Sequence, residues 1–166
     1  QAGEGAEAMG VKLGIVGLGQ FSRNFIPLFK AHPLVDELVL CDLDPAKRAA
    51  ACEAWRVARS EASLEDLCRT DVHAVVVMTQ NWLHGPQAVQ ALRAGKHVYS
   101  AVPAGISLDE IGELVRAVGE TGRIYMMGET SCYYPAVLYC CARHAAGDFG
   151  RVVFAEAEYY HDWDHG

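Results

Sequence analysis

The chain has 166 residues, 51% of them apolar and 21% charged, and its 14 basic against 21 acidic side chains leave a net charge of −7. That length holds one well-packed domain and the beginning of another, while the negative balance argues against nucleic acid, whose phosphates it would repel. No apolar run approaches the roughly 20 residues that a membrane-spanning helix requires, so no membrane partner is expected either.

Residues 1–9 are small, acidic and aperiodic, without the basic and apolar regions of a signal peptide, and are expected to be a tag remnant or disordered leader. Lys12 to Val16 is the first predicted strand and runs directly into Gly17-Leu-Gly19. A helix is expected from Gln20 to Ala31, where Phe21, Phe25, Leu28 and Phe29 recur at helical spacing. Glu37 to Cys41 is the second strand, and Asp44-Pro45 supplies an N-cap and a preset first helical residue for Ala46 to Trp55. Val57 to Arg59 reads as a short edge strand, and Ser63 caps a brief helix through Cys68. His73 to Met78 is continuously apolar, as in a strand covered on both faces.

A helix from about Leu83 to Ala94 is expected to stop at Gly95, and Lys96 to Ser100 forms the next strand. Ser107 to Glu110 is a capping box opening a helix whose Leu108, Ile111, Leu114, Val115 and Val118 form one apolar stripe, ended by Gly122. Arg123 to Met127 is the sixth strand. Strands alternating with helices predict the α/β class: a Rossmann-type, doubly wound parallel sheet of about six strands over residues 10–128, with ligands at the strand C-terminal ends. Residues 129–166 are expected to be a linker helix (Cys132 to Ala146), a turn at Gly147 to Gly150, and the long alternating first strand (Arg151 to Tyr160) of an incomplete second α+β domain. That strand needs partners, so either the chain is a fragment or the strand pairs with another chain.

The six cysteines, Cys41, Cys52, Cys68, Cys132, Cys140 and Cys141, show no Cys-x-x-Cys spacing. They are read as free buried thiols in a reducing cytoplasm.

The chemistry is carried by the turn after the first strand. Gly17 permits a tight turn, Gly19 lets the backbone approach a pyrophosphate, and the following helix offers unpaired N–H groups at its N-terminus. Asp42 closes the second strand, where a carboxylate accepts the hydroxyls of an adenosine ribose, unless it serves only the Asp44-Pro45 turn. An acid there repels a 2′-phosphate, so NAD is expected over NADP, with Arg48 as the residue that keeps NADP open. Phe21 and Ser22 are assigned to the pyrophosphate through their backbone groups. Ser22 stands where a third glycine is usual, so helix and strand sit slightly apart or its hydroxyl meets a phosphate. Thr79 and Asn81, just past a central strand, are assigned to the nicotinamide ribose. The C-terminal run Glu156, Glu158, His161, Asp162, Asp164 and His165 has metal-ligand composition. Acids alternating along a strand usually form its solvated face, and a substrate cleft is a further reading, so no metal is assigned.

The segments Gly17-Leu-Gly19, Cys41-Asp-Leu-Asp44, Thr79-Gln-Asn-Trp-Leu-His84, Ala91 to Val98 and Gly147 to Gly150 resemble the Gfo/Idh/MocA oxidoreductases, from Lys12 to about Tyr160. The resemblance implies NAD(P)-dependent hydride transfer on a sugar, cyclitol or related hydroxy compound. It places His84 near the cofactor's nicotinamide end and the substrate, the other reading being a helix-start residue packed beneath the loop, and implies a second domain that binds substrate and builds a homo-oligomer through its sheet. One departure is severe. The family's Glu-Lys-Pro motif reads Ala101-Val102-Pro103 here, so the proton-transferring lysine position is Val102 and no catalytic residue is assigned. General acid–base assistance is typically worth 10²–10⁴-fold. Two further readings therefore stand: a non-catalytic dinucleotide-binding sensor or subunit, and a hydrolase that recycles tightly held NAD.

Overall fold

The computed structural model describes residues 10–158 and residue 160, so the expected leader over residues 1–9 and the residues His161, Asp162, Asp164 and His165 lie outside the described part. The chain divides into two units, Gln1–Gly128 and Glu129–Gly166.

In the first unit, strands and helices alternate: β1 (Val11–Val16), α1 (Ser22–Ala31), β2 (Val35–Cys41), α2 (Pro45–Trp55), β3 (Arg59–Glu61), α3 (Leu64–Arg69), β4 (Ala74–Val77), α4 (Asn81–Arg93), β5 (His97–Ser100), α5 (Leu108–Thr121) and β6 (Tyr125–Met127). The six strands form one sheet in the order β3-β2-β1-β4-β5-β6, and every neighbouring pair is parallel. The expected α/β class and doubly wound sheet are therefore present. Strand order reverses at β1, which pairs with both β2 and β4, and such a switch point leaves a crevice beyond the strand C-termini.

The continuous apolar run of β4 has a simple cause. Val75 and Val77 enter one buried cluster with Val39, Leu67, Leu92 and Leu114, whereas Val76 and Met78 enter another with Ile15, Ile26 and Leu40. Alternate side chains fall on opposite faces of a strand, and helices cover both faces of this one, so no polar residue is admitted.

Several expectations shift. α1 starts at Ser22 rather than Gln20, and Leu28 is exposed while Ile26 is buried, so the helix meets the sheet along Ser22, Phe25, Ile26 and Phe29. On α5 the stripe is narrower than predicted: Leu108 and Val115 face solvent and Leu114 and Ala117 are buried. The third strand lies two residues later than Val57–Arg59, because its register pairs Val39 with Arg59 and Cys41 with Glu61, and Val57 is buried in the core instead. α4 begins at Asn81, two residues early. No helix among the described residues is long and apolar enough to cross a membrane.

The second unit contains a 3₁₀ turn (Ser131–Tyr133) and α6 (Pro135–Ala145), separated by Tyr134 rather than continuous from Cys132, and no residue of α6 is buried. Of the long strand expected over Arg151 to Tyr160, the described residues 151–158 carry no regular structure, and Val153 and Phe154 are both exposed. Alternation supplies two faces, but a strand also needs a ladder partner for its backbone groups, and the described residues offer none.

Candidate functional site

The crevice is assembled from the ends of β1, β2 and β4. Gly17 has φ +93°, and a Cβ there would lie 2.6 Å from the Met78 carbonyl oxygen and 2.8 Å from the Thr79 nitrogen. Only glycine lets the two strand ends approach that closely, so its role includes tertiary packing beside turn geometry. Gly17 N–H donates to Cys41 O at 2.9 Å, and Leu18 N–H donates to Asp42 Oδ2 at 2.8 Å. At Gly19 a Cβ would meet nothing within 4 Å, which is the open space a bound phosphate needs. Ser22 is fully buried and its hydroxyl donates to Gly19 O at 2.8 Å. The extra atom is thus absorbed within the turn, and the hydroxyl holds the loop to α1 rather than facing the crevice.

Asp42 joins both walls. Its Oδ2 fastens the glycine loop, while its Oδ1 accepts Asp44 N–H at 3.0 Å; Asp44 in turn caps α2 through the N–H groups of Ala46 and Lys47. Each carboxylate oxygen retains a further lone pair for a ligand hydroxyl. Arg48 does not reach outward: its Nη1 donates to Asp42 O at 2.5 Å and Leu43 O at 3.2 Å. The cation that kept NADP open is therefore engaged by main-chain carbonyls. Behind Asp42, burial first and then the Asp42 charge push the Cys41 thiol up to about 12.

On the β4 side, Thr79 Oγ1 donates to Gln87 Oε1 at 2.6 Å, and Asn81 is exposed at the start of α4. His84 is only 2% exposed. Its Nε2 lies 3.0 Å from Thr79 O and its Nδ1 2.8 Å from Pro103 O. Val102, at the loop after β5, is 42% exposed and carries no ionisable group.

A cavity of about 370 Å³ opens here, lined among others by Gly17, Gly19, Phe21, Asp42 and Thr79. Five of the eight predicted residues are thus brought together; Ser22, Asn81 and His84 do not line it. Sequence reasoning missed Lys47 and Gln87, which do line it. Lys47 was hidden because a lysine in a first helical turn has no distinctive spacing, and Gln87 because only the packed α4 shows that it grips Thr79. No group of three or more histidine, cysteine, aspartate or glutamate residues that could hold a metal occurs among the described residues. An open Gly19, an acid with spare acceptor capacity and an adjoining cavity fit a dinucleotide.

Comparison with known proteins agrees with this geometry. The chain is 32% identical over 162 residues to a glycosyl hydrolase family 109 protein of Shewanella amazonensis, covering 92% of this chain and 36% of the relative. It therefore spans about a third of the length of the curated relatives it matches. Its fold superposes on the WlbA dehydrogenase of Bordetella pertussis, solved with NADH and UDP-GlcNAcA, with a TM-score of 0.79 at 28% identity over 86% of this chain and 43% of that one. Scyllo-inositol dehydrogenase of Lactobacillus casei, solved with NAD(H) and scyllo-inositol, gives a TM-score of 0.78 at 22% identity, covering 85% and 42%. Residues 11–129 match the Gfo/Idh/MocA oxidoreductase family in its NAD-binding Rossmann fold, and the chain belongs to that family.

Proposed function

We propose that this chain is the NAD-binding half of an oxidoreductase acting on a sugar, cyclitol or related polyhydroxylated small molecule. The observation that carries the reading is Asp42, whose carboxylate fastens the glycine loop through Leu18 N–H while lining the same cavity as Gly19. One side chain thereby ties the pyrophosphate turn to the adenosine-ribose position.

Gly17, Gly19, Phe21 and Ser22 hold the pyrophosphate through the backbone of the turn and the first residues of α1. Asp42 accepts the ribose hydroxyls, and its charge together with the engaged Arg48 favours NAD over NADP. Thr79, fixed by Gln87, and Asn81 serve the nicotinamide end. When bound, the nicotinamide supplies two-electron chemistry at a carbinol carbon. The alcohol proton is not managed from the loop after β5, where the family lysine position is Val102.

A second reading has its own support. The relatives at 30–35% identity are glycosyl hydrolase family 109 proteins, which favours NAD retained and regenerated within each turnover. NADH titration by fluorescence, followed by a panel of polyols and p-nitrophenyl glycosides with NAD⁺ supplied, tests both. NADH accumulation with a polyol supports the dehydrogenase; p-nitrophenol release without net NADH supports the hydrolase. Tight binding with neither product supports a non-catalytic subunit. If NADH does not bind, the dinucleotide reading itself is wrong.

A further inference from the structure

Across the switch point the sheet presents three strand ends in the order β2, β1 and β4. Asp42 follows the first, the glycine turn follows the second, and Thr79 lies just past the third. A dinucleotide carries one ribose on each side of its pyrophosphate. With the pyrophosphate over Gly19 and the adenosine ribose at Asp42, the second ribose falls at the end of β4. Thr79 borders the turn closely, since its backbone nitrogen would lie 2.8 Å from a Cβ on Gly17.

Thr79 Oγ1 and Gln87 Oε1 are 2.6 Å apart. That separation suits O–H···O and is short for N–H···O, so the hydroxyl donates and the carboxamide oxygen accepts. Thr79 has then spent its only O–H and faces a ligand with lone pairs alone, while the Gln87 nitrogen retains two N–H groups. Among the described residues these N–H groups have no hydrogen-bond partner. Nor is the nitrogen sealed in the core: among the described residues, the buried side-chain polar atom left without a partner is Tyr125 Oη. Leu83 and Gln87, one turn apart on α4, both line the cavity. The carboxamide therefore stands at the cavity wall with its oxygen anchored and its nitrogen free for a ligand. Gln80 also lines the cavity, but it is exposed, and among the described residues no hydrogen bond fixes its side chain.

The Thr79–Gln87 pair thus offers one acceptor beside one donor. A pyrophosphate oxygen only accepts, and would set its lone pairs against those of Thr79 Oγ1. A ribose hydroxyl accepts through its oxygen and donates through its hydrogen, so it satisfies both groups. We infer that Gln87 is a cofactor-binding residue: its side-chain N–H groups donate to a hydroxyl of the nicotinamide ribose, and Thr79 Oγ1 accepts a hydrogen from the same diol. This rests on the dinucleotide reading above and adds to it a direct contact beyond the hold of Gln87 on Thr79.

The test compares the wild-type chain with Gln87→Met, which keeps the length of the side chain and removes its hydrogen-bonding groups. NADH binding is read by fluorescence, and ADP-ribose and ADP are measured by displacement of NADH. ADP-ribose keeps the second ribose without the nicotinamide, and ADP lacks both. The expected result is that NADH and ADP-ribose bind Gln87→Met about tenfold more weakly, the effect of one hydrogen bond, while ADP binds as it does to the wild type. Loss with NADH alone moves the contact to the nicotinamide ring, and loss with all three moves it to the pyrophosphate or to the fold of the variant; either result, or no loss at all, overturns the assignment. A Thr79→Val background separates contact from positioning. Adding Gln87→Met there should weaken ADP-ribose binding further, and a double variant no weaker than Thr79→Val overturns the direct contact. All of these results leave the dinucleotide reading standing, whereas failure of the wild-type chain to bind NADH overturns both.

Discussion

Replacing Gly17 and Gly19 separately by alanine divides the glycine loop into a folding position and a binding position. At Gly17 the new Cβ falls 2.6 Å from Met78 O and 2.7 Å from the Met78 carbonyl carbon, and the backbone is held at φ +93°. The obstructing atoms belong to the main chain at the end of β4, so no rotamer change relieves the clash. Left-handed backbone costs an ordinary residue roughly 1–2 kcal/mol, and forcing a methyl into packed structure adds roughly 1–3 kcal/mol. The expected loss is about 2–5 kcal/mol, which for a chain of this size lowers Tm by roughly 5–15 °C.

At Gly19 the same methyl meets nothing within 4 Å and φ lies outside the left-handed region. Stability should then be unchanged or rise by about 0.4–1 kcal/mol through the unfolded chain. The methyl instead occupies the space of the pyrophosphate, and NADH affinity should fall about tenfold or more. Thermal unfolding followed by circular dichroism and NADH fluorescence titration read the two effects. A Gly17→Ala chain melting within about 2 °C of wild type, roughly the effect of a single kcal/mol, refutes the close approach of the strand ends. Undiminished NADH binding by Gly19→Ala refutes the assignment of that opening to the pyrophosphate.

Three further outcomes follow from the same geometry. Asp42→Asn leaves one carboxamide oxygen for the N–H groups of Leu18 and Asp44; it should cost about 1–3 kcal/mol and move preference from NAD toward NADP, and an unchanged preference measured by paired titrations contradicts the ribose assignment. With iodoacetamide near pH 8, the exposed Cys132, Cys140 and Cys141 should be alkylated in the native chain while Cys41, 1% exposed with its thiol pushed up to about 12, is spared until unfolding. Peptide mass mapping checks this, and rapid native labelling of Cys41 would show that the β2 end is open. Lys12 first, then Arg59, hold the Asp71 carboxyl well below the ordinary carboxylate range. As pH falls the unfolded chain takes up this proton first, so the stability is present above about pH 4 and lost below it; Asp71→Asn should flatten that acid limb in denaturant titrations, and a parallel limb refutes the pairing.

The elements legible in the sequence were those specified by local chemistry. Ser63 caps α3 through Asp66 N–H and Asp44 caps α2, because a side-chain oxygen two or three residues from an orphan N–H needs no tertiary help. Gly95 and Gly122 end α4 and α5 with positive φ, as their position behind an apolar pattern predicts. The capping box of α5 was half readable: Ser107 accepts Glu110 N–H, but Glu110 reaches Ile106 N–H, because its carboxylate is also packed against Gly85 and Gly105. The apolar stripes of α1 and α5 were over-read at Leu28, Leu108 and Val115, since periodicity marks a face without fixing how much of it the sheet covers. The candidate site divides in the same way. Gly17, Gly19 and Asp42 carry a strand-turn-helix pattern, whereas the grip of Gln87 on Thr79 and the inward turn of His84 depend on how α4 sits against two loops.

Period, caps and turn residues along 166 residues determined an α/β chain with a parallel sheet and a dinucleotide turn, because those signals act over a few bonds. Packing alone decided that Asp42 fastens the glycine loop, that Arg48 is spent on main-chain carbonyls, and that His84 bridges Thr79 and Pro103. These outcomes require groups from separate strand ends to converge within hydrogen-bonding distance. Packing also decided what failed to form: the alternating residues 151–158 stay irregular because a strand, unlike a helix, cannot satisfy its own backbone.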